Sequence, residues 1–159
     1  MVYGYPPSPT EVYESIQAGV ELIGAASLGA LRAVELRNHG MQGVGWVYEQ
    51  YLRTAVMADD ELLALMHPVT QAPLTVPLIR VRYALECLGD EGRVPRPVAA
   101  QLLDELRTVY FEDRTRACIE AAASRAGMTT AATAELFDLR FDIKRADTLR
   151  CLSELRQCF

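Results

Sequence analysis

Val20-Glu21-Leu22-Ile23-Gly24-Ala25-Ala26-Ser27-Leu28-Gly29-Ala30-Leu31-Arg32-Ala33-Val34-Glu35-Leu36 changes character part-way along. Its first residues are apolar and partly β-branched, which favours a strand, while the Ala- and Leu-rich remainder has the propensity of a helix. Only small residues and one serine separate the two parts. The stretch reads as a strand over Val20 to Gly24 that turns tightly into a helix. Ser27 then lies at the carboxyl end of the strand and the start of the helix. In an open α/β sheet that edge is where ligands bind, and the N–H groups and dipole of a helix start favour an anion. Ser27 and the backbone of Ala26, Leu28 and Gly29 are therefore the first candidate site. Ala25-x-Ser27-x-Gly29 is also a relative of the strand–elbow–helix arrangement that exposes a nucleophilic serine, although such a serine needs a histidine in reach. The plainer reading is that Ser27 caps the helix, with small neighbours so that strand and helix pack closely.

Upstream, Val2 to Tyr5 is short and β-prone and is closed by Pro6-Pro7-Ser8-Pro9. Ser8 or Thr10 is placed to cap a helix from Glu11 to Ala18, with Val12, Ile16 and Tyr13 toward the core and Gly19 as its stop. This strand–helix–strand order predicts a parallel pair. Downstream, His39-Gly40-Met41-Gln42-Gly43-Val44-Gly45 is a glycine-rich connection ahead of a helix from Trp46 to Arg53. Gly43 and Gly45 can let an anion approach the backbone at that helix start. The pattern follows a helix rather than a strand, the wrong context for a dinucleotide fingerprint, so it reads first as a turn.

Asp59-Asp60-Glu61 reads as a solvated helix start or, alternatively, as hard oxygen donors for a divalent cation. Leu62 to Met66 fits helix and strand equally, and His67, ahead of Pro68, is the one credible base. Pro73 to Pro77 is linker-like. Beyond it, helices are predicted over Leu78–Leu88, from Pro97 to Tyr110, from Thr115 to Ala126, and from a Thr129 or Thr130 cap to Gln157. The last carries Leu139, Ile143, Ala146, Leu149 and Leu152 at three- and four-residue spacing. The expected fold is α/β: a small parallel, Rossmann-like sheet in the N-terminal half, then a helical C-terminal half. The division falls into a core over residues 1–72 and a helical part over 73–159, packed together as one unit.

The 159 residues are half hydrophobic, enough for a real core, yet no run approaches the about 20 apolar residues of a membrane span. The start of the chain has neither a basic nor an apolar signal region, so the expected compartment is the cytosol. A net charge of −5 argues against general nucleic-acid affinity. Cys87, Cys118, Cys151 and Cys158 are scattered and only His39 and His67 accompany them, so no zinc site is expected, and the thiols read as reduced.

Taken together, Gly24 to Leu36, then Gly40-Met41-Gln42-Gly43-Val44-Gly45, then Asp59-Asp60-Glu61 with His67, and finally Lys144-Arg145-Ala146-Asp147, resemble the TfuA-like family. The elements occur in order over nearly the whole chain. Leu28 stands where the family usually has methionine. Val2-Tyr3-Gly4-Tyr5 is similar to a family strand that a further strand and helix precede. These are expected to be missing here or supplied by a partner. The resemblance implies work beside a YcaO-type enzyme, which uses ATP to activate a peptide backbone amide so that sulfide can replace its oxygen. It further implies help with sulfur delivery from the C-terminal thiocarboxylate of a sulfur-carrier protein, with the peptide substrate met only indirectly.

On that reading Ser27, Arg32 and His67 are the catalytic candidates, and Ala26, Leu28, Gly29, Gly43 and Gly45 offer N–H groups to an anion. Glu35, Asp59, Asp60 and Glu61 are further candidates, with no metal and no cofactor expected. Arg32 meets a thiocarboxylate or simply pairs with Glu35, three residues on. The alternative function is a non-catalytic partner that binds and activates the YcaO enzyme. An exposed apolar patch beside the sheet would imply pairing, with that enzyme or as a homodimer. A simple serine hydrolase of small esters is a poorer fit, for want of an acid–base pair in the expected order.

Overall fold

The computed structural model describes residues 7–54 and 58–157. It divides into two compact units, Met1–Met57 with Ile143–Phe159, and Ala58–Asp142. The expected strand over Val2 to Tyr5 lies outside the described residues.

In the first unit, Ser8 opens helix α1 (Pro9–Gln17) through a capping box, its hydroxyl accepting the Glu11 N–H while the Glu11 carboxylate takes the Ser8 N–H. Gly19, at a φ of 85°, ends the segment as expected. Strand β1 (Ile23–Ala25) begins later than Val20, which is 50% exposed. Helix α2 (Leu28–Leu36) follows, and a turn of 3-10 helix over Arg37–His39 ends at Gly40.

The partner of β1 is strand β2 (Gln42–Val44), in the stretch read as a turn. The two run parallel, with Ile23 opposite Gln42, Gly24 opposite Gly43 and Ala25 opposite Val44. Parallel strands need a crossover, and α2 supplies it. A three-residue strand with two polar or glycine positions carries too little alternation to be seen as one. Helix α3 (Trp46–Arg53) follows where predicted. Val12, Ala33, Leu36 and Met41 form the buried cluster beneath α1 and α2.

Helix α8 (Ile143–Gln157) belongs to this same unit and packs on α3 and on both strands. Its inward row starts with Ile143, 2% exposed and part of the expected stripe, but continues with Asp147, 3% exposed, which the stripe did not include. Leu149 and Leu152 are 50% and 52% exposed, and Ala146 is exposed as well.

The second unit is helical. A 3-10 turn over Asp59–Leu62 leads through a loop to α4 (Leu78–Asp90), α5 (Arg96–Arg107), α6 (Arg116–Arg125) and α7 (Thr130–Glu135). Leu78, Val81, Leu85, Leu102, Leu106 and Ile119 form the centre of its core, so the apolar faces of α4 and α5 turn inward. Thr115 and Thr129 cap α6 and α7 with their hydroxyls. The single long C-terminal helix expected from Thr130 onward is instead two. Arg80 donates to the carbonyls of Phe137 and Asp138, at 2.8 and 3.1 Å, acceptors that a continuing helix would have used. The Asp138 side chain then caps a 3-10 turn over Leu139–Phe141.

Candidate functional site

Strand β1 meets helix α2 so closely that the strand tolerates no side chain at Gly24. A Cβ on Gly24 would sit 2.0 Å from the Gly29 carbonyl oxygen and 2.9 Å from the Ala33 Cβ. The chain then reverses within three residues. The Ser27 N–H donates to the Ala25 carbonyl at 2.9 Å, closing a turn around Ala26. Ala26 is held at a φ of 69°, a strained conformation for a residue with a Cβ. Backbone strain of this kind clusters where a side chain must be aimed.

Ser27 occupies the N-cap position of α2, yet its side chain makes no capping hydrogen bond. Its carbonyl receives the N–H groups of Ala30 and Leu31, at 2.9 and 3.3 Å. The N–H groups of Leu28 and Gly29 take no acceptor among the described residues. A half-buried hydroxyl thus stands beside two unspent donors at the positive end of a helix. Arg32, one turn on, bonds Glu35 at 2.6 Å and the Pro7 carbonyl at 3.2 Å. This is the i,i+3 pairing weighed beside its binding role, and it neutralises the guanidinium locally.

The start of α3 is already filled. Gly45, at a φ of 103°, lies against the Asp147 carboxylate, which any Cβ there would strike at 2.3 Å. That carboxylate accepts the N–H groups of Trp46 and Val47, both at 2.9 Å, from a hundred residues away in sequence. Gly43 packs under the Tyr48 ring. The anion at Gly43 and Gly45 is therefore the protein's own. Burial pushes the Asp147 carboxyl above its ordinary value, against the two backbone N–H groups and Arg150, which lower it, and Glu49, which raises it. Asp147 was legible only as part of a sequence element. The remaining clue was a helix start with glycine at its N-cap, which needs an acceptor from elsewhere.

Asp59, Asp60, Glu61 and His67 belong to the second unit. Asp59 is exposed, but Glu61 is only 2% exposed and so is no part of a solvated face. Arg82 grips it through both carboxylate oxygens at 2.8–3.1 Å, and Arg107 stands 3.8 Å away. Asp60 pairs with Arg114, which is 1% exposed and also donates to the carbonyls of Asp60 and Leu106. These arginines are what hold Glu61 indoors and Asp60, half-buried, beside it. No group of three or more His, Cys, Asp or Glu suited to a metal ion occurs among the described residues. His67 turns its Nδ1 toward the N–H groups of Val69 and Thr70, at 3.3 and 3.1 Å, leaving Nε2 as its other polar atom. Cys87, Cys118 and Cys151 are half-buried free thiols. Cys158 lies outside the described residues.

The family model of TfuA-like proteins matches residues 5–115, more than two thirds of the chain. The chain belongs to the TfuA-like family. No match to the sequence is found among curated proteins. The match spans the β1–α2 turn, the glycine-rich start of α3 and the buried acidic turn of this TfuA-like protein, whereas Asp147 lies beyond it. No helix among its described residues is long and apolar enough to cross a membrane.

Proposed function

We propose that this TfuA-like protein assists the sulfur supply of a YcaO-type enzyme that forms backbone thioamides, releasing sulfide from a carrier protein's C-terminal thiocarboxylate. The observation that carries the reading is the Ser27 hydroxyl, which makes no cap bond although it sits at a helix start beside the N–H groups of Leu28 and Gly29. Release is acyl transfer. The Ser27 oxygen adds to the thiocarboxylate carbon, its proton passes to a base, the C–S bond breaks and sulfur leaves as hydrosulfide. Water then cleaves the serine ester to a carboxylate. Leu28 and Gly29 donate to the oxygen that bears charge in the addition, which is the part a helix start performs well. The turn at Ala26 aims the hydroxyl.

A second reading, a non-catalytic activator of the same enzyme, is favoured by that ion pair, since Arg32 is already engaged by Glu35 and the Pro7 carbonyl. Incubating the protein with a thiocarboxylated carrier and detecting sulfide separates the two. The catalytic reading expects Ser27→Ala to lower release by about 100-fold or more. The fold should be unchanged, because that hydroxyl holds nothing. Equal release by the variant, or none by the wild type, supports the activator. His67→Gln in the same assay tests the histidine independently.

A further inference from the structure

Taking a proton from a hydroxyl needs a base with a lone pair free to receive it. His67 lacks one, because its Nδ1 accepts the N–H groups of Val69 and Thr70 and the neutral ring then carries its proton on Nε2. His39 stands against Tyr13, beyond the far end of α2. Among the other carboxylates of the first unit, Glu11 closes the cap of α1 and Glu14 is exposed on that helix. Glu35, Glu49 and Glu154 bond arginines, and Glu21 precedes β1 at the opposite edge of the sheet. Asp147 differs from all of them. It is 3% exposed, and among the described residues no cation bonds it, Arg150 donating to Glu154 instead. Its two oxygens each accept one backbone N–H, from Trp46 and from Val47. A carboxylate has about four lone pairs, so each oxygen keeps one to spare. A buried anion without a bonded cation is costly to hold, and such carboxylates cluster at functional sites.

Topology puts this carboxylate at the same edge as Ser27. Strands β1 and β2 run parallel with Ala25 opposite Val44, so the turns that follow them leave the sheet side by side, about 4.8 Å apart. Ser27 stands on the first turn, and the Asp147 carboxylate is anchored on the second, against Gly45. Resting on the release reaction above, we propose that Asp147 is its base. The carboxylate takes the Ser27 proton as the oxygen adds to the thiocarboxylate carbon. It gives that proton to the sulfur as the C–S bond breaks, so that hydrosulfide leaves. It then takes a proton from the water that cleaves the serine ester and returns it to the Ser27 oxygen. Burial supports the exchange, since it holds the carboxyl above its ordinary value and nearer to neutral pH. Around it, Glu49 on α3 raises that value and Arg150 on α8 lowers it. Lys144 lies three residues back on α8, and neither strand carries a charged group.

The test follows sulfide release from the thiocarboxylated carrier, as kcat/KM from about pH 4 to about pH 9, for wild type, Asp147→Asn and Ser27→Ala. Wild type is expected to rise through one inflection as Asp147 ionises and then to level. Asp147→Asn should fall about 100-fold at that plateau and lose the inflection, with KM within about twofold. A merely structural Asp147 would lower the rate and leave the inflection in place. That outcome, a wild-type profile with no inflection, or a loss below about threefold overturns the base while Ser27 keeps its role. No release by the wild type, or equal release by Ser27→Ala, overturns the release reading and the base together. Should Asp147→Asn not fold, the wild type decides alone. Modification of Ser27 by diisopropyl fluorophosphate, read by mass spectrometry, must rise through the same inflection. A rate that is flat between about pH 4 and about pH 7 overturns the proposal.

Discussion

Replacing Asp147 with alanine removes the acceptor of two N–H groups at the start of α3, and the expected cost is about 1–3 kcal/mol in urea unfolding. The pH dependence separates this bond from the charge it carries. Burial raises the folded-state value of the Asp147 carboxyl, so the folded protein binds that proton more tightly than the unfolded chain does. The stability linked to the group is therefore full at low pH and is lost as pH rises through the raised value. Measured against Asp147→Asn, which does not titrate, the wild type should gain stability between about pH 7 and about pH 4. A constant difference would mean that the carboxylate is solvated. Gly24 poses the opposite problem, since a methyl there strikes backbone. Gly24→Ala should cost about 3 kcal/mol or more, at or above the usual range for overpacking, because the Gly29 carbonyl cannot rotate away as a side chain would. A loss below about 1 kcal/mol would show that strand and helix separate easily.

Among the elements, the acidic 3-10 turn is tied to α4 by the buried Glu61–Arg82 pair. Breaking one side of such a pair leaves an uncompensated charge, so Glu61→Ala is expected to cost about 3 kcal/mol. Arg82→Met together with Glu61→Leu should recover most of it, and a double-mutant cycle checks this directly. Additive losses would mean that the two residues stabilise the unit separately. Residues that act locally were legible in the sequence. Ser8 with Glu11, Gly19, Thr115 and Thr129 mark their helix ends within a turn of themselves, and helices lie where they are predicted over Leu78–Leu88 and from Pro97 onward. What escaped reading is set by distant partners. Strand β2 is a strand only because β1 lies beside Gln42-Gly43-Val44. Helix α8 turns Asp147 inward rather than Ala146, Leu149 and Leu152, because its carboxylate answers a helix start a hundred residues earlier. Arg80, by taking two carbonyls, ends α7 where apolar spacing alone would have continued it.

At the scale of the whole chain, the first and last segments build one unit around the two-stranded sheet, and the intervening residues build the helical one. The candidate site was partly legible. Ser27 could be singled out because small residues between a strand and a helix have few other uses. Whether its hydroxyl caps the helix depends on a turn geometry that Ala26 adopts against its own preference. Thioamide formation should be reconstituted from the YcaO-type enzyme, ATP, its peptide and a thiocarboxylated carrier, with wild type or Ser27→Ala, and repeated with free sulfide replacing the carrier. If Ser27 releases the sulfur, the variant fails with the carrier and matches the wild type with free sulfide. Equal turnover by both proteins from the carrier would contradict that role and leave Ser27 as a helix-start residue of an activator.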